Sequence, residues 1–197
     1  MKLYLVACIV FTVISSSMQC EVPSPKQPID WSKIPETWFL AFTSGDAVMG
    51  EMDCNVIHNL KKTDAGFALD GYFYSNGVLK DKEHIVKKIL PNGNYVSHLS
   101  HGKYEDIARG NMHKALVAEV QTINSEKDQT LHSTDSKTYL YHISCSATGE
   151  YIVWCYTSNP NPDLMTLYNA FKDLISYGIT PKNFQPSKCN QINFAEK

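Results

Sequence analysis

Apolar and polar residues alternate along much of the chain in short runs of strand length, and turn residues separate these runs. The predicted strands are Trp38–Thr43, Glu51–Leu60, Gly66–Tyr74, His84–Leu90, Tyr95–His98, Lys114–Ile123, Tyr139–Cys145 and Tyr151–Thr157. Between them, Asn76-Gly77 and Asn92-Gly93 are dipeptides of tight hairpins, because both residue types accept positive φ. Many short strands joined by hairpins predict an antiparallel barrel or sandwich.

A helical period replaces this alternation near the C-terminus. Asn161 is the predicted N-cap, Pro162 fits the first turn and Asp163 complements the helix dipole. Gly178 is expected to end the helix. Apolar residues at helical spacing form one predicted face, which comprises Leu164, Leu167, Tyr168, Phe171, Leu174 and Ile175. A helix with one apolar face is expected to pack on the outer wall of a sheet.

The first residues have the layout of a secretory leader. Lys2 precedes the apolar run Leu3–Val13, and small residues follow at Ser15–Ser17. The apolar run is too short to span a bilayer as a helix. We therefore expect residues 1–19 to be a signal peptide and residues 20–197 to form one secreted, extracellular domain without membrane insertion.

Charge and cysteine content narrow the class of protein. The net charge is −2, and no basic stripe is present, which argues against nucleic acid as a partner. Loss of Cys8 with the leader leaves the cysteines Cys20, Cys54, Cys145, Cys155 and Cys189. Their wide spacing, without a C-x-x-C pair, predicts two long-range disulfides and one free thiol, and leaves the pairing open.

Four stretches of the chain resemble the motifs of the lipocalins, and most of all those of the branch that contains apolipoprotein D, insect bilin-binding and arthropod salivary proteins. Residues 29–39 resemble the opening turn and its G-x-W-[YF], and residues 134–145 resemble T-D-Y-x-x-Y-A with its Y-S-C ending. Residues 158–161 stand where R-x-P precedes the helix, and residues 177–189 resemble the segment after it. Glu36, Ser136 and Ser158 depart from the glycine, tyrosine and arginine of these motifs.

The resemblance implies a fold and a disulfide pattern. The implied fold is an all-β, eight-stranded antiparallel up-and-down barrel, the lipocalin calyx, with one C-terminal α-helix packed on the outside. The implied disulfides are Cys20–Cys145 and Cys54–Cys189, which leaves Cys155 as a free thiol on the outward face, expected beneath the helix. Because an arginine normally covers the tryptophan at the closed end, Ser158 implies a different closure there.

A calyx of eight strands has room for one small ligand. The strand parity of the family implies a set of inward-facing, ligand-binding residues, namely Leu40, Phe42, Leu140, His142, Ser144, Ile152, Trp154 and Tyr156. Trp38 is expected to close the floor. His142 is the main polar candidate. The sequence is equally compatible with two partners for its hydrogen bond, a bound ligand on the one hand and a protein neighbour or water on the other.

The resemblance predicts a non-enzymatic carrier or scavenger of one small hydrophobic or amphipathic ligand, acting as a monomer or weak oligomer. A biliverdin-type bilin is one candidate for the bound group, and a lipid, lipid mediator or pheromone is another. A biogenic amine is a further alternative, which needs a carboxylate from Asp70 or Glu119. A further alternative is a surface-acting role, as a salivary-type inhibitor or immune modulator that uses the region Pro91–Asn111.

Three other sites have weaker support in the sequence. His98 and His101, with His113 further on, have metal-ligand residue types, but residues three apart point to opposite faces of a strand. Haem held by one histidine has no local motif in its favour. A catalytic pair of Cys155 and His142 is disfavoured because the two side chains are expected on opposite faces of the barrel.

Overall fold

The computed structural model describes residues 20–44, 52–98, 129–146, 148–180, 183–192 and 194. The predicted leader, the predicted strand Lys114–Ile123, Glu119, His101 and His113 lie outside these residues. The elements are β1 (Trp38–Ser44), β2 (Cys54–Thr63), β3 (Gly66–Ser75), β4 (Val78–Ile89), β5 (Tyr95–His98), β6 (Leu131–Thr134), β7 (Tyr139–Cys145), β8 (Tyr151–Thr157), α1 (Leu164–Ser176) and β9 (Phe184–Pro186).

The strands form one antiparallel sheet that curls into a nearly closed barrel. Their order is β5-β4-β3-β2-β1-β8-β7-β6, and β9 adds to β1 outside this path. The two edges meet where Tyr95 and Thr130 exchange backbone hydrogen bonds of 2.8 and 2.7 Å. The predicted eight-stranded up-and-down barrel with one C-terminal helix is therefore confirmed.

Several strand boundaries differ from those predicted. β4 begins at Val78 rather than His84, and the short strands β6 and β9 were not predicted. The polar residues of β6 gave no clear alternation. In the β3–β4 hairpin both Asn76 and Gly77 have positive φ, as that turn requires, whereas at Asn92-Gly93 only Gly93 does.

The helix packs against the barrel through a narrower face than its sequence indicates. Ala170 and Leu174 are buried, and Leu167 and Phe171 pack beside them. Leu164, at 85 % exposure, Tyr168 and Ile175 face solvent, so the predicted face was too wide. The predicted cap at Asn161 was also wrong. Asp163 is the N-cap, and its carboxylate accepts a hydrogen bond from the backbone N–H of Thr166 at 2.7 Å.

A bulge in β1 divides the side chains of that strand between two cores. The pairing of β1 with β8 shifts register between Leu40 and Phe42. Leu40 packs with the residues of the inner core, whereas Phe42 packs with Cys155, Tyr141 and the helix. The expected inward orientation of Phe42 was therefore wrong, because one extra residue in a strand reverses the alternation beyond it.

Two disulfides hold the chain ends against the barrel. They join Cys20 to Cys145 and Cys54 to Cys189, the two pairs that the resemblance implied. The second disulfide fixes the tail whose strand β9 pairs with residues 42–44 of β1. Cys155 is a free thiol, is fully buried and lies in the core between barrel and helix.

Candidate functional site

The barrel contains a cavity of about 120 Å³. Side chains from β2 to β8 and from residues 29–35, which we call the N-terminal arm, line it. Its apolar lining consists of Ile29, Trp31, Ile34, Ile57, Leu60, Phe67, Leu69, Phe73, Ile85, Leu140 and Trp154. Its polar lining consists of Asn55, Glu83, Lys87, Ser97, His132, His142 and Tyr156. A mostly apolar cavity with a few polar groups is typical of small-molecule sites.

The N-terminal arm closes one end of the barrel. The backbone N–H of Asp30 donates to the Ser136 hydroxyl in the β6–β7 turn at 3.1 Å. Beside it, the rings of Trp31 and Phe67 lie 5.3 Å apart between centroids. Trp38 is fully buried at the same end, and its indole N–H donates to the Pro35 carbonyl at 2.7 Å. The arm and the Ser136 turn thus supply a closure that does not use the arginine that Ser158 replaces.

Three basic side chains converge on the cavity where the edges of the sheet meet. Lys87 points inward from β4, His132 from β6 and His142 from β7. Lys87 is only 4 % exposed, and its ammonium donates to the Ser97 hydroxyl at 2.6 Å. The rings of His132 and His142 lie 4.9 Å apart. We call these three residues the basic cluster.

Burial shifts the pKa of each member of the basic cluster. Desolvation lowers the pKa of Lys87 from 10.5 to about 7. Desolvation also lowers the pKa values of His132 and His142 well below 6.5, and the positive charge of Lys87 adds to both shifts. Both imidazoles are therefore neutral at pH 7, when each ring has one N–H donor and one acceptor nitrogen.

A second polar contact crosses the cavity wall. The Tyr156 hydroxyl donates to the side-chain carbonyl of Asn55 at 2.8 Å, and the Asn55 amide donates to the Tyr72 carbonyl at 3.2 Å. Asn55 is thereby held in one orientation. This fixed pair provides polar atoms on the wall formed by β2 and β8, away from the basic cluster.

The structure brings half of the predicted ligand-binding residues to the cavity. Leu140, His142, Trp154 and Tyr156 line it. Leu40, Phe42, Ser144 and Ile152 do not appear in its lining. Phe42 faces the helix because of the bulge in β1. Ser144 and Ile152 pair with each other near the ends of β7 and β8 opposite the arm, since alternation indicates the face of a strand but not the depth along it.

Most of the remaining lining could not be predicted from the sequence. Glu83, Ile85 and Lys87 alternate on β4 and point inward, but two charged residues in such a pattern normally indicate a solvent-facing side. His132 lies on the unpredicted strand β6. In the arm, the apolar residues Ile29, Trp31 and Ile34 are the available signal, but they also belong to a motif that predicts only the entry into β1.

Other candidate groups lie apart from the cavity. Asp70 is not in its lining, and its carboxylate accepts hydrogen bonds from Asn59 and His84, both at 2.7 Å. His142 faces the cavity, whereas Cys155 is packed beneath the helix, so the structure does not bring these two together. The part of the chain that the structure describes contains no group of three metal-ligating side chains. None of its helices has the length and apolar character needed to cross a bilayer.

The fold is that of the lipocalins. A siderocalin, Ex-FABP, described as functioning through dual ligand specificities, aligns with a TM-score of 0.52 and 10 % identity over 79 % of this chain and 93 % of its own. The cockroach allergen Per a 4 aligns with a TM-score of 0.59 and 14 % identity, over 88 % and 98 % of the two chains. Insecticyanin from the tobacco hornworm Manduca sexta aligns with a TM-score of 0.59 and 15 % identity, over 89 % of this chain and 87 % of its own. No protein-family profile and no curated protein sequence matches the chain.

Proposed function

We propose that the protein is a secreted carrier or scavenger that binds one small hydrophobic or amphipathic molecule inside its barrel. The observation that carries the proposal is the mostly apolar cavity, which is lined by inward side chains of the strands and closed at one end by the arm. Polar groups are few and lie at defined positions, as expected where burial supplies affinity and hydrogen bonds orient the ligand.

The volume of the cavity narrows the class of ligand. About 120 Å³ is close to the roughly 150 Å³ of a cavity that holds one benzene, and below the roughly 300–1,000 Å³ of most drug-sized sites. This volume favours a compact molecule or the head of a longer one. A bilin-type tetrapyrrole requires the lining side chains to move apart, and therefore has less support than a small lipid-like ligand.

Secretion is supported by two features of the chain. The apolar N-terminal segment has the layout of a signal peptide that ends near residue 19. The disulfides Cys20–Cys145 and Cys54–Cys189 are of the kind that persists in oxidising compartments. N-terminal sequencing of the exported protein tests this part of the proposal, and a first residue at or near Cys20 is expected.

Native mass spectrometry of protein from its natural source tests the binding function directly. We expect one ligand of low molecular mass per chain, released on denaturation. An absorption spectrum of the same sample distinguishes the pigments, since a bilin absorbs in the red and haem gives a sharp Soret band. A sample that is free of ligand and binds no member of an apolar ligand panel would contradict the proposal.

A further inference from the structure

The basic cluster places three nitrogen-bearing side chains on an otherwise largely apolar cavity. The amine of the cluster is that of Lys87. In the pairing of β3 with β4, Lys87 lies opposite Phe67. The Phe67 ring contacts Trp31 at the end of the barrel that the arm closes. Lys87 therefore lies deep in the barrel and not at a solvent-exposed end. Long lysine side chains usually reach solvent with their charged ends, and 4 % exposure leaves Lys87 no such route.

Among the described residues, the buried amine has a hydrogen-bond acceptor but no counter-charge. The ion pairs among the described residues are Lys33–Asp30, His84–Asp70 and Lys188–Asp53, and none of them involves Lys87. Its polar partner is the Ser97 hydroxyl. An ammonium group has three N–H donors, so this contact leaves donors for a further acceptor. A buried charge without a partner is costly, and an anion delivered into the cavity removes that cost.

The neighbours of Lys87 in the cavity are suited to the same acceptor. His132 contacts Phe67, Tyr95 and His142 with its ring, and its imidazole is within reach of the Thr130 hydroxyl at 3.4 Å. His142 makes no hydrogen bond to any described residue, although it lines the cavity. A neutral imidazole has one N–H donor, so His142 offers the cavity a second donor beside the amine.

Glu83 contributes a carboxylate to the cavity, and this carboxylate lies far from the Lys87 amine. Glu83 points inward from β4, four residues before Lys87 and on the same face. Four residues of extended strand span roughly 13 Å, so Glu83 belongs to the half of the cavity away from the arm. The cavity is thus electrostatically asymmetric, with its positive end deep in the barrel.

We propose that the ligand of this protein has an acidic head group, a carboxylate or a comparable oxyanion, which enters the barrel first and binds the Lys87 ammonium with a second hydrogen bond from His142. The inference deepens the proposed function and rests on it. The apolar remainder of the ligand then lies against Leu69, Ile85 and Trp154, toward the half of the barrel that contains Glu83.

Three probes of equal chain length and different head group test the inference. Decanoic acid, 1-decanol and decylamine are titrated into the disulfide-bonded protein at pH 7 by calorimetry, and hexyl and tetradecyl series control for length. Because a hydrogen bond to a charged group is stronger than one between neutral groups, we expect the acid to bind about tenfold to hundredfold more tightly than the alcohol. We expect the amine to bind least.

Matched variants assign the preference to Lys87. Lys87→Met keeps an unbranched side chain that is one heavy atom shorter and removes the charge. We expect the acid and the alcohol to bind this variant with similar affinity. Lys87→Arg keeps the charge and is expected to restore a preference for the acid. Lys88→Met alters the exposed neighbour on the outer face of β4 and is expected to leave the preference unchanged.

The pH dependence provides a measurement that needs no variant. Burial places the pKa of Lys87 at about 7, so raising the pH above 7 removes protons from the free protein and lowers its affinity for the acid. His132 and His142, whose pKa values are well below 6.5, stay neutral over this range, and burial raises the pKa of Tyr95 above 10. Glu83 is the carboxylate that faces the same cavity. The affinity for 1-decanol is expected not to change between pH 7 and pH 9.

The outcomes separate this inference from the function on which it rests. Equal affinity of the wild-type protein for acid and alcohol, with no pH dependence, overturns the acidic head group and leaves small-molecule binding in place. Tighter binding of decylamine than of decanoic acid also overturns the acidic head group, and would indicate Glu83 as the group that selects the ligand. Failure of every head group at every chain length overturns the binding function and this inference with it.

Discussion

The rings of Phe42 and Phe171 stack face to face, with centroids 4.9 Å apart and planes 5° from parallel. Phe42 comes from β1 and Phe171 from α1, so this contact joins the barrel to the helix. Phe184 of β9 packs edge-on against both rings, at 5.0 and 4.8 Å. The three rings belong to the core outside the barrel and not to the cavity.

Phe42→Ala should therefore lower stability without affecting ligand binding. Removing a buried phenylalanine side chain costs about 3–5 kcal/mol of the free energy of unfolding. A double-mutant cycle with Phe171→Ala should give a coupling of about 0.5–1.5 kcal/mol for the stacked pair. Urea unfolding measures both quantities, and calorimetry with decanoic acid serves as the control. A large loss of affinity at unchanged stability would place Phe42 in the site.

His142→Ala should weaken ligand binding, because the imidazole lines the cavity and makes no hydrogen bond to any described residue. Loss of one hydrogen bond to a charged group corresponds to about 1.5–3 kcal/mol, or roughly a tenfold to hundredfold increase in Kd for decanoic acid. Ile143→Val is the matched control, since Ile143 is the next residue of β7 and is buried on the opposite face. Equal affinities of the two variants would remove His142 from the site.

Lys87→Met should stabilise the unliganded protein in a pH-dependent manner. The pKa of Lys87 is about 7 in the folded protein and 10.5 as its ordinary value, so between these values the unfolded chain binds the proton and the folded chain does not. Wild-type stability therefore rises with pH across this window, and the full penalty of about 3–5 kcal/mol applies below pH 7.

The difference in free energy of unfolding between Lys87→Met and wild type should accordingly be largest at pH 7 and should shrink toward pH 10. Lys88→Met, on the exposed face of the same strand, should show no such trend. A Lys87→Met protein that is less stable than wild type at pH 7 would mean that the amine has a stabilising partner.

Cys155 should be unreactive in the folded protein and countable after unfolding. Its thiol is fully buried beneath the helix, and burial raises its pKa far above the ordinary range, so little thiolate forms. A thiol-specific chromogenic reagent should detect one sulfhydryl per chain in denaturant without reductant, and close to none under native conditions. Detection of no thiol in denaturant would indicate an intermolecular disulfide.

Replacing both Cys54 and Cys189 by alanine should lower stability substantially. The disulfide joins residues separated by 135 positions, and closing so long a loop is worth about 4–5 kcal/mol in the chain-entropy model. Thermal unfolding followed by circular dichroism measures the loss. The cavity should keep its preference for decanoic acid at low temperature, because neither cysteine lines it.

Much of the fold could be predicted from local patterns. Alternation located most of the described strands, Asn76-Gly77 predicted its hairpin, and the motif around Trp38 indicated the barrel, because these signals depend on neighbours in sequence. The helix was located but its packed face was not, since Tyr168 and Ile175 are apolar by type and remain exposed. Which side of a helix is covered depends on the surface that it meets.

By itself, the sequence determined an antiparallel barrel or sandwich with one external helix, because alternation and turn chemistry act over a few residues. The resemblance to the lipocalin motifs implied the closed barrel and its hollow interior. Only the tertiary structure decided what faces that interior. One added residue in β1 turned Phe42 outward, and closure of the sheet brought Lys87 of β4 together with His132 and His142 of β6 and β7. A buried lysine and a solvent-facing one look the same in sequence. Their environments differ through strands that are distant along the chain.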